Sequence, residues 1–279
     1  MSHRLNTQIS DSIWAALVER SQSSGQSVSH LVSAALAEAL DLDHHSIFQV
    51  STSGAIVEGL FQGCVSVADL RRHGDFGVGT FENLDGEMIM IEGHCFQATS
   101  DGHVREVDDD VLTPFAVVTN FKSDQSLVLQ SISDWDDLIA QLDALRTSDN
   151  MIIGIRVTGT FDTIDLRAPC VAKPGVGLLE ATANQAEFSY TQTTGTLVGF
   201  WCPDYTRSIS IPGYHVHFIS DDRVRGGHVL QLSGTDLQLD LHHVSDVHLA
   251  IPETRAFLEA DFSGDGAAAL EEAERSRVK

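Results

Sequence analysis

Pro212-Gly-Tyr-His215-Val-His217-Phe-Ile-Ser-Asp-Asp-Arg-Val-Arg-Gly-Gly-His228 carries both the fold signal and the chemistry. Residues two apart on a strand share a face, so His215 and His217 project side by side. Ser220 to Gly227 reads as a turn that returns the chain beside them, and His228 opens the return strand. Three imidazoles on adjacent strands converge on one cation and leave positions for water or substrate, as a catalytic zinc site requires. Manganese and iron suit the same donors. A rival group, His242, His243 and His248, reads as surface: adjacent strand residues face opposite ways, so only one of the first two can join His248.

Outward from this hairpin the texture stays β-rich. Ile47 to Val50, Gly86 to Ile91, Pro114 to Phe121, Asn150 to Val157, Gly195 to Trp201 and His228 to Leu232 read as strands. Helices are predicted only at Val67 to His73, at Asp134 to Thr147 and in the tail from about Gly266. Strands without regular βαβ alternation predict an α+β fold with a sheet or barrel core.

With 279 residues, 42% hydrophobic and 20% charged, the chain is globular, as one large or two modest domains. Seventeen Lys plus Arg against 40 Asp plus Glu give a net charge of −23, which repels nucleic acid and anionic membranes from the main body. The same field repels a small anionic substrate, so its site needs positive charge from a metal or an arginine. No apolar run approaches a membrane span and no signal-type start is present, so a cytoplasmic protein is expected. Cys64, Cys95, Cys170 and Cys202 are widely spaced, which argues against a disulfide scaffold and a thiolate zinc site.

The first forty residues differ. Arg4 to Ile9 alternates polar and apolar and predicts a short strand. Ser10 and Asp11 supply cap chemistry for a helix carrying Ile13, Trp14, Leu17 and Val18, which breaks at Ser23-Ser24-Gly25. Ser27 caps a second helix with Leu31, Val32, Ala35 and Leu40 inward. This strand-helix-helix order resembles the ribbon-helix-helix family, in which two chains pair their strands. The resemblance implies that Arg4, Asn6 and Gln8 face outward toward base edges. Residues 1–42 hold two Arg and no Lys against Asp11, Glu19, Glu38 and Asp41, so phosphate attraction is weak. A dimerisation module or relic is therefore preferred to a working DNA reader, and any nucleic-acid contact is confined to this segment. The polar stretch Asp41 to Ser46 separates it from the larger domain, which spans residues 43–279.

Gln49-Val-Ser-Thr52, His73-Gly-Asp-Phe-Gly-Val-Gly-Thr-Phe81, Leu84-Asp-Gly-Glu87, Thr113-Pro-Phe-Ala-Val117 and Gly195-Thr-Leu-Val-Gly-Phe-Trp201 join the histidine stretch in one ordered set over residues 46–262. Together they resemble the acetolactate decarboxylase family. The resemblance implies a mixed-sheet half and a β-barrel half, a homodimer, and a zinc enzyme converting 2-acetolactate to acetoin and carbon dioxide. It also implies His215, His217 and His228 as zinc ligands, and Glu87 as the carboxylate that orients substrate and delivers a proton to the enediolate carbon. Arg156, in Gly-Ile-Arg-Val-Thr-Gly, is expected to bind substrate, since an arginine amid apolar strand residues is costly unless paired. Thr80 is expected to shape the wall, and one of Glu253, Glu271, Glu272 or Glu274 to reach the site from the C-terminal region. A metabolite-sensing ribbon-helix-helix transcriptional regulator is the alternative from another functional class.

Overall fold

The computed structural model describes residues 6–24, 27–39, 45–183, 185–264, 266, 269–270 and 273. The backbone groups into two compact units, Met1–His44 and His45–Lys279.

In the first unit, α1 (Asp11–Ser24) and α2 (Val28–Ala39) lie where the cap residues predict them. The Ile13 amide donates to Ser10 Oγ at 3.3 Å, so Ser10 supplies the expected cap. Leu17, Val18, Leu31 and Val32 are half-buried. Ile13 and Ala35 are exposed, and so is Trp14, at 53%, because two short helices alone cover only a narrow stripe of each other. The strand expected over Arg4 to Ile9 is not formed at Asn6 to Ile9, which are irregular and exposed. A strand needs a neighbour to form its ladder, and among the described residues no strand pairs with this segment. Arg4 and Leu40 lie outside the described residues.

The second unit is sheet-rich with few helices. In chain order it contains β1 (Ser46–Val50), α3 (Ser53–Val57), β2 (Val65–Ser66), α4 (Val67–Arg71), β3 (Phe76–Thr80), β4 (Glu87–Ile91), β5 (His94–Ala98) and β6 (Val104–Glu106). There follow β7 (Leu112–Thr113), β8 (Phe115–Thr119), β9 (Gln125–Ile132), α5 (Trp135–Leu145), β10 (Ile152–Ala168), α6 (Leu178–Ala181) and β11 (Ala186–Cys202). The unit ends with β12 (Gly213–Ser220), β13 (Gly226–Val244), β14 (Asp246–Ala250) and α7 (Arg255–Glu259). Of the tail predicted to be helical from about Gly266, Gly266 itself is irregular, while Ala269, Leu270 and Ala273 are helical.

The first sheet has seven strands in the order β14-β1-β8-β3-β4-β5-β6 and is mixed, since β1 runs parallel to β14 and antiparallel to β8. The second has the order β10-β11-β12-β13-β9, and β10 also pairs with β13. Three apolar layers hold the sheets. Ile89, Phe115 and Val117 of the first sheet meet Val198, Phe200 and Ile219 of the second in a shared core. Val157, Phe161, Leu197, Val216 and Phe218 fill the other side of the second sheet. Val50, Met88, Met90 and Val118 pack behind the first sheet with Val67 and Leu70. Strand alternation thus sends Val216 and Phe218 one way and His215, His217 and Ile219 toward the first sheet. Among the described residues, no helix is long and apolar enough to cross a membrane. All four cysteines are free thiols.

Candidate functional site

β12 and β13 form the predicted hairpin, slightly tighter than its sequence suggests: Ile219 pairs with Gly226, Phe218 with Gly227 and His217 with His228. Gly227 has φ +150°, and a Cβ there would sit 2.6 Å from the Arg167 carbonyl oxygen. Only glycine lets β10 approach the hairpin so closely.

The hairpin brings His215, His217 and His228 together, each with a nitrogen within 4.8 Å of the others. Their ring centroids are 4.8, 5.3 and 5.4 Å apart, and all three residues are buried. His217 is 0% exposed. Its Nδ1–H donates to the Met88 carbonyl at 2.8 Å, which leaves Nε2 as the lone-pair nitrogen. That Nε2 is buried with no hydrogen-bond partner and points at the other two rings. A buried acceptor without a donor is costly, and an imidazole tied back through Nδ1 to a carbonyl is the usual arrangement of a metal ligand. The donor set therefore fits a divalent transition metal. Burial, joined by the charge of Arg167, pushes His215 down to about 3. Burial followed by the charge of His215 drives His217 well below its ordinary value, and burial followed by Arg167 does the same to His228. All three rings are neutral at pH 7, the form that ligates metal.

Glu87 opens β4, and its Oε2 lies 3.4 Å from His217 Nε2. Thr80, its cross-strand partner on β3, donates through Oγ1 to the Gly86 carbonyl at 2.8 Å and so fixes the turn that presents the carboxylate. Glu87, Thr80, His215 and His228 line a cavity of about 60 Å³, closed by apolar residues including Leu84, Phe115 and Ile211.

Arg156 is not brought to this cavity. Its guanidinium pairs with Asp240 at 3.0 Å and lies 4.8 Å from the centre of the Phe121 ring. The arginine in the wall is Arg167, eleven residues further along β10 and directly opposite His228. It is 8% exposed. The carboxylate of Asp240 meets the pairing requirement that made Arg156 look like a site residue. Gln185 also lines the cavity, and its Oε1 is a buried acceptor with no hydrogen-bond partner. Sequence reasoning missed both; the one local signal was Arg167-Ala-Pro169, an arginine just ahead of the proline that ends the strand.

Glu253 is exposed, and Glu271, Glu272 and Glu274 lie outside the described residues, although Ala273 beside them lines the cavity. The rival histidines divide. His248 is exposed and His243 half-buried, but His242 is fully buried, against the surface reading. Gly154 faces it across the strand pair and Phe121 covers it, with ring centroids 5.5 Å apart.

Residues 47–264 match the family profile described as alpha-acetolactate decarboxylase. A relative of that name from Methylococcus capsulatus is 42% identical over 233 residues, covering 83% of this chain and 90% of the relative. One from Brevibacillus brevis is 34% identical over 232 residues, covering 83% and 81%. The crystal structure of alpha-acetolactate decarboxylase from Bacillus subtilis strain 168 superposes with a TM-score of 0.80 at 30% identity, covering 83% of this chain and 99% of that one.

Proposed function

The chain belongs to the alpha-acetolactate decarboxylase family, and from that premise we propose that its histidine cavity holds zinc and releases carbon dioxide from 2-acetolactate to give acetoin. The observation that carries the reading is the buried, unpartnered Nε2 of His217, facing His215 and His228 beside Glu87 and Arg167.

2-Acetolactate is a β-keto acid, so breaking its carboxyl bond pushes an electron pair onto the ketone oxygen. When bound by the three imidazoles, the metal supplies a Lewis acid for that developing charge. Arg167 offsets the net charge of −23 and holds the anionic end of the substrate through its fork of donors. Gln185 Oε1 accepts a hydrogen bond from the substrate's tertiary hydroxyl and so fixes which face of the molecule meets Glu87. Glu87 then gives a proton to the carbon that lost carbon dioxide, and recovers it from solvent. Thr80 acts through the turn it holds rather than on the substrate. Strands β10 to β13, paired in sequence order and closed by the β10–β13 pairing, correspond in this reading to the family's barrel half.

We further read residues 1–42 as a dimerisation module in a cytoplasmic homodimer, supported by the exposed apolar faces at Ile13, Trp14 and Leu36. The metabolite-sensing regulator is not favoured, since this segment carries more acid than base.

The test is acetoin formation from racemic 2-acetolactate by the purified chain, before and after chelation and after restoring zinc, manganese or iron. Activity lost with chelator and in His217→Ala, and regained best with zinc in the wild type, supports the reading. A folded, metal-loaded chain without activity overturns it.

A further inference from the structure

His228 lies near the start of β13, and a second group of ligand-type side chains gathers at that strand's other end. His242 of β13, His45 just ahead of β1 and Asp124 just ahead of β9 each offer an atom within 4.8 Å of the other two. Asp124 Oδ2 lies 3.9 Å from His45 Nδ1 and 3.8 Å from His242 Nδ1. The His45 carbonyl accepts from the Ser245 and Asp246 amides at 2.8 and 3.0 Å, and its ring stacks on His242 at 10°. None of the three lines the catalytic cavity.

The hydrogen bonding of His242 points to a missing positive charge. Its Nδ1 lies 2.9 Å from the Lys122 carbonyl oxygen and its Nε2 lies 3.3 Å from Thr119 Oγ1. The single hydroxyl proton of Thr119 goes to the Ser46 carbonyl at 2.7 Å. Both ring nitrogens therefore face oxygen lone pairs, whereas a neutral imidazole has one N–H to offer. Burial opposes the doubly protonated ring. A cation bound at Nδ1 resolves the conflict, because the remaining proton then sits on Nε2 and is donated to Thr119. The carbonyl oxygens of Lys122, beside His242 Nδ1, and of His243, 2.8 Å from His45 Nδ1, lie next to the two imidazoles as further oxygen donors. Two imidazoles, a carboxylate and carbonyl oxygens make a mixed N/O set suited to borderline divalent ions.

We propose that His45, Asp124 and His242 form a second site for a divalent transition-metal ion, distinct from the catalytic histidines. Its role is structural: it ties the segment entering β1 of the first sheet to the end of β13 in the second.

The experiment is to titrate zinc calorimetrically into the chelator-stripped full-length chain and to count bound zinc by elemental analysis after dialysis. Wild type is expected to hold two equivalents. His45→Ala and Asp124→Asn, both at partly exposed positions, are each expected to hold one while still forming acetoin, which shows that they are folded. His217→Ala is expected to hold one equivalent without activity, so failure of the catalytic reading is seen separately. A zinc content that neither His45→Ala nor Asp124→Asn lowers overturns the second site.

Discussion

Arg167 and His228 are direct cross-strand partners, one near the end of β10 and the other near the start of β13. This pairing puts a guanidinium against the histidine cluster, whereas Arg156 on the same strand is taken up by Asp240. Arg167→Gln is expected to lower kcat/KM by roughly 100-fold, the scale for losing one charge-stabilising donor in a site. Arg156→Gln is expected to leave kcat/KM within about threefold and to lower stability by about 1–3 kcal/mol, since it takes the guanidinium from Oδ2 of the buried Asp240 carboxylate and leaves only Ser123 and Ser126 on Oδ1. Steady-state kinetics on the two variants decides it, and a reversed ranking would restore Arg156 to the site.

Glu87→Gln keeps the shape of the side chain and removes the transferable proton. Its kcat is expected to fall by roughly 100- to 10,000-fold, the usual span for a general acid, with metal content unchanged. If acetoin is still formed at the normal rate, Glu87 is only a neighbour of His217.

Gln185→Ala separates orientation from packing. On 2-acetolactate, kcat/KM is expected to drop by about 10-fold or more, the discrimination given by one substrate hydrogen bond. On 2-methylacetoacetate, the analogue without the hydroxyl, wild type and variant should perform alike. An equal loss on both substrates would show a structural role.

In the metal-free chain the histidine cluster makes stability depend on pH. Each ring is neutral when folded and titrates near its ordinary value once unfolded, so below about 6.5 the unfolded state binds more protons. Stability therefore falls as pH falls, by about 1.4 kcal/mol per unit for each fully depressed histidine. For His215 the loss levels off near its folded value of about 3. Urea midpoints between pH 6.5 and 5, above the carboxylate range, should decline in wild type and less steeply in His215→Asn. Parallel curves would mean that His215 titrates normally.

Gly199 faces Val216 between β11 and β12, where a Cβ would lie 2.3 Å from the His215 carbonyl oxygen. Gly199→Ala must push β12 away, at a cost of about 1–3 kcal/mol for overpacking. Because β12 carries two of the three histidines, zinc affinity should fall along with the melting temperature. A variant that loses stability but keeps full affinity would show that the cluster tolerates the shift.

The histidine hairpin was legible because its information is local: strand alternation sets the shared face of His215 and His217, and the glycine-rich return sets the third ring. Arg167 was not, because its position depends on the register of two long strands, which shifts between Thr158 and Phe161, between Phe161 and Thr163 and between Asp165 and Leu166. No local pattern encodes such irregularities. The surface reading of His242 failed for a related reason. Near its end β13 is buried on both faces, so alternation no longer distinguishes inside from outside. In the first unit the capping residues marked both helices correctly, since caps too are local chemistry.

The parallel pairing of β1 with β14 joins Ser46 to Asp246. β1 therefore keeps one edge bare until a strand 200 residues further along has left the ribosome. Closing so long a loop is slow, which gives the unit a late-forming, non-local folding step. During that wait the bare edge of β1 can pair with another chain. Yield on expression should therefore depend on how quickly β14 arrives, and a chain cut before Asp246 would be left with an open sheet.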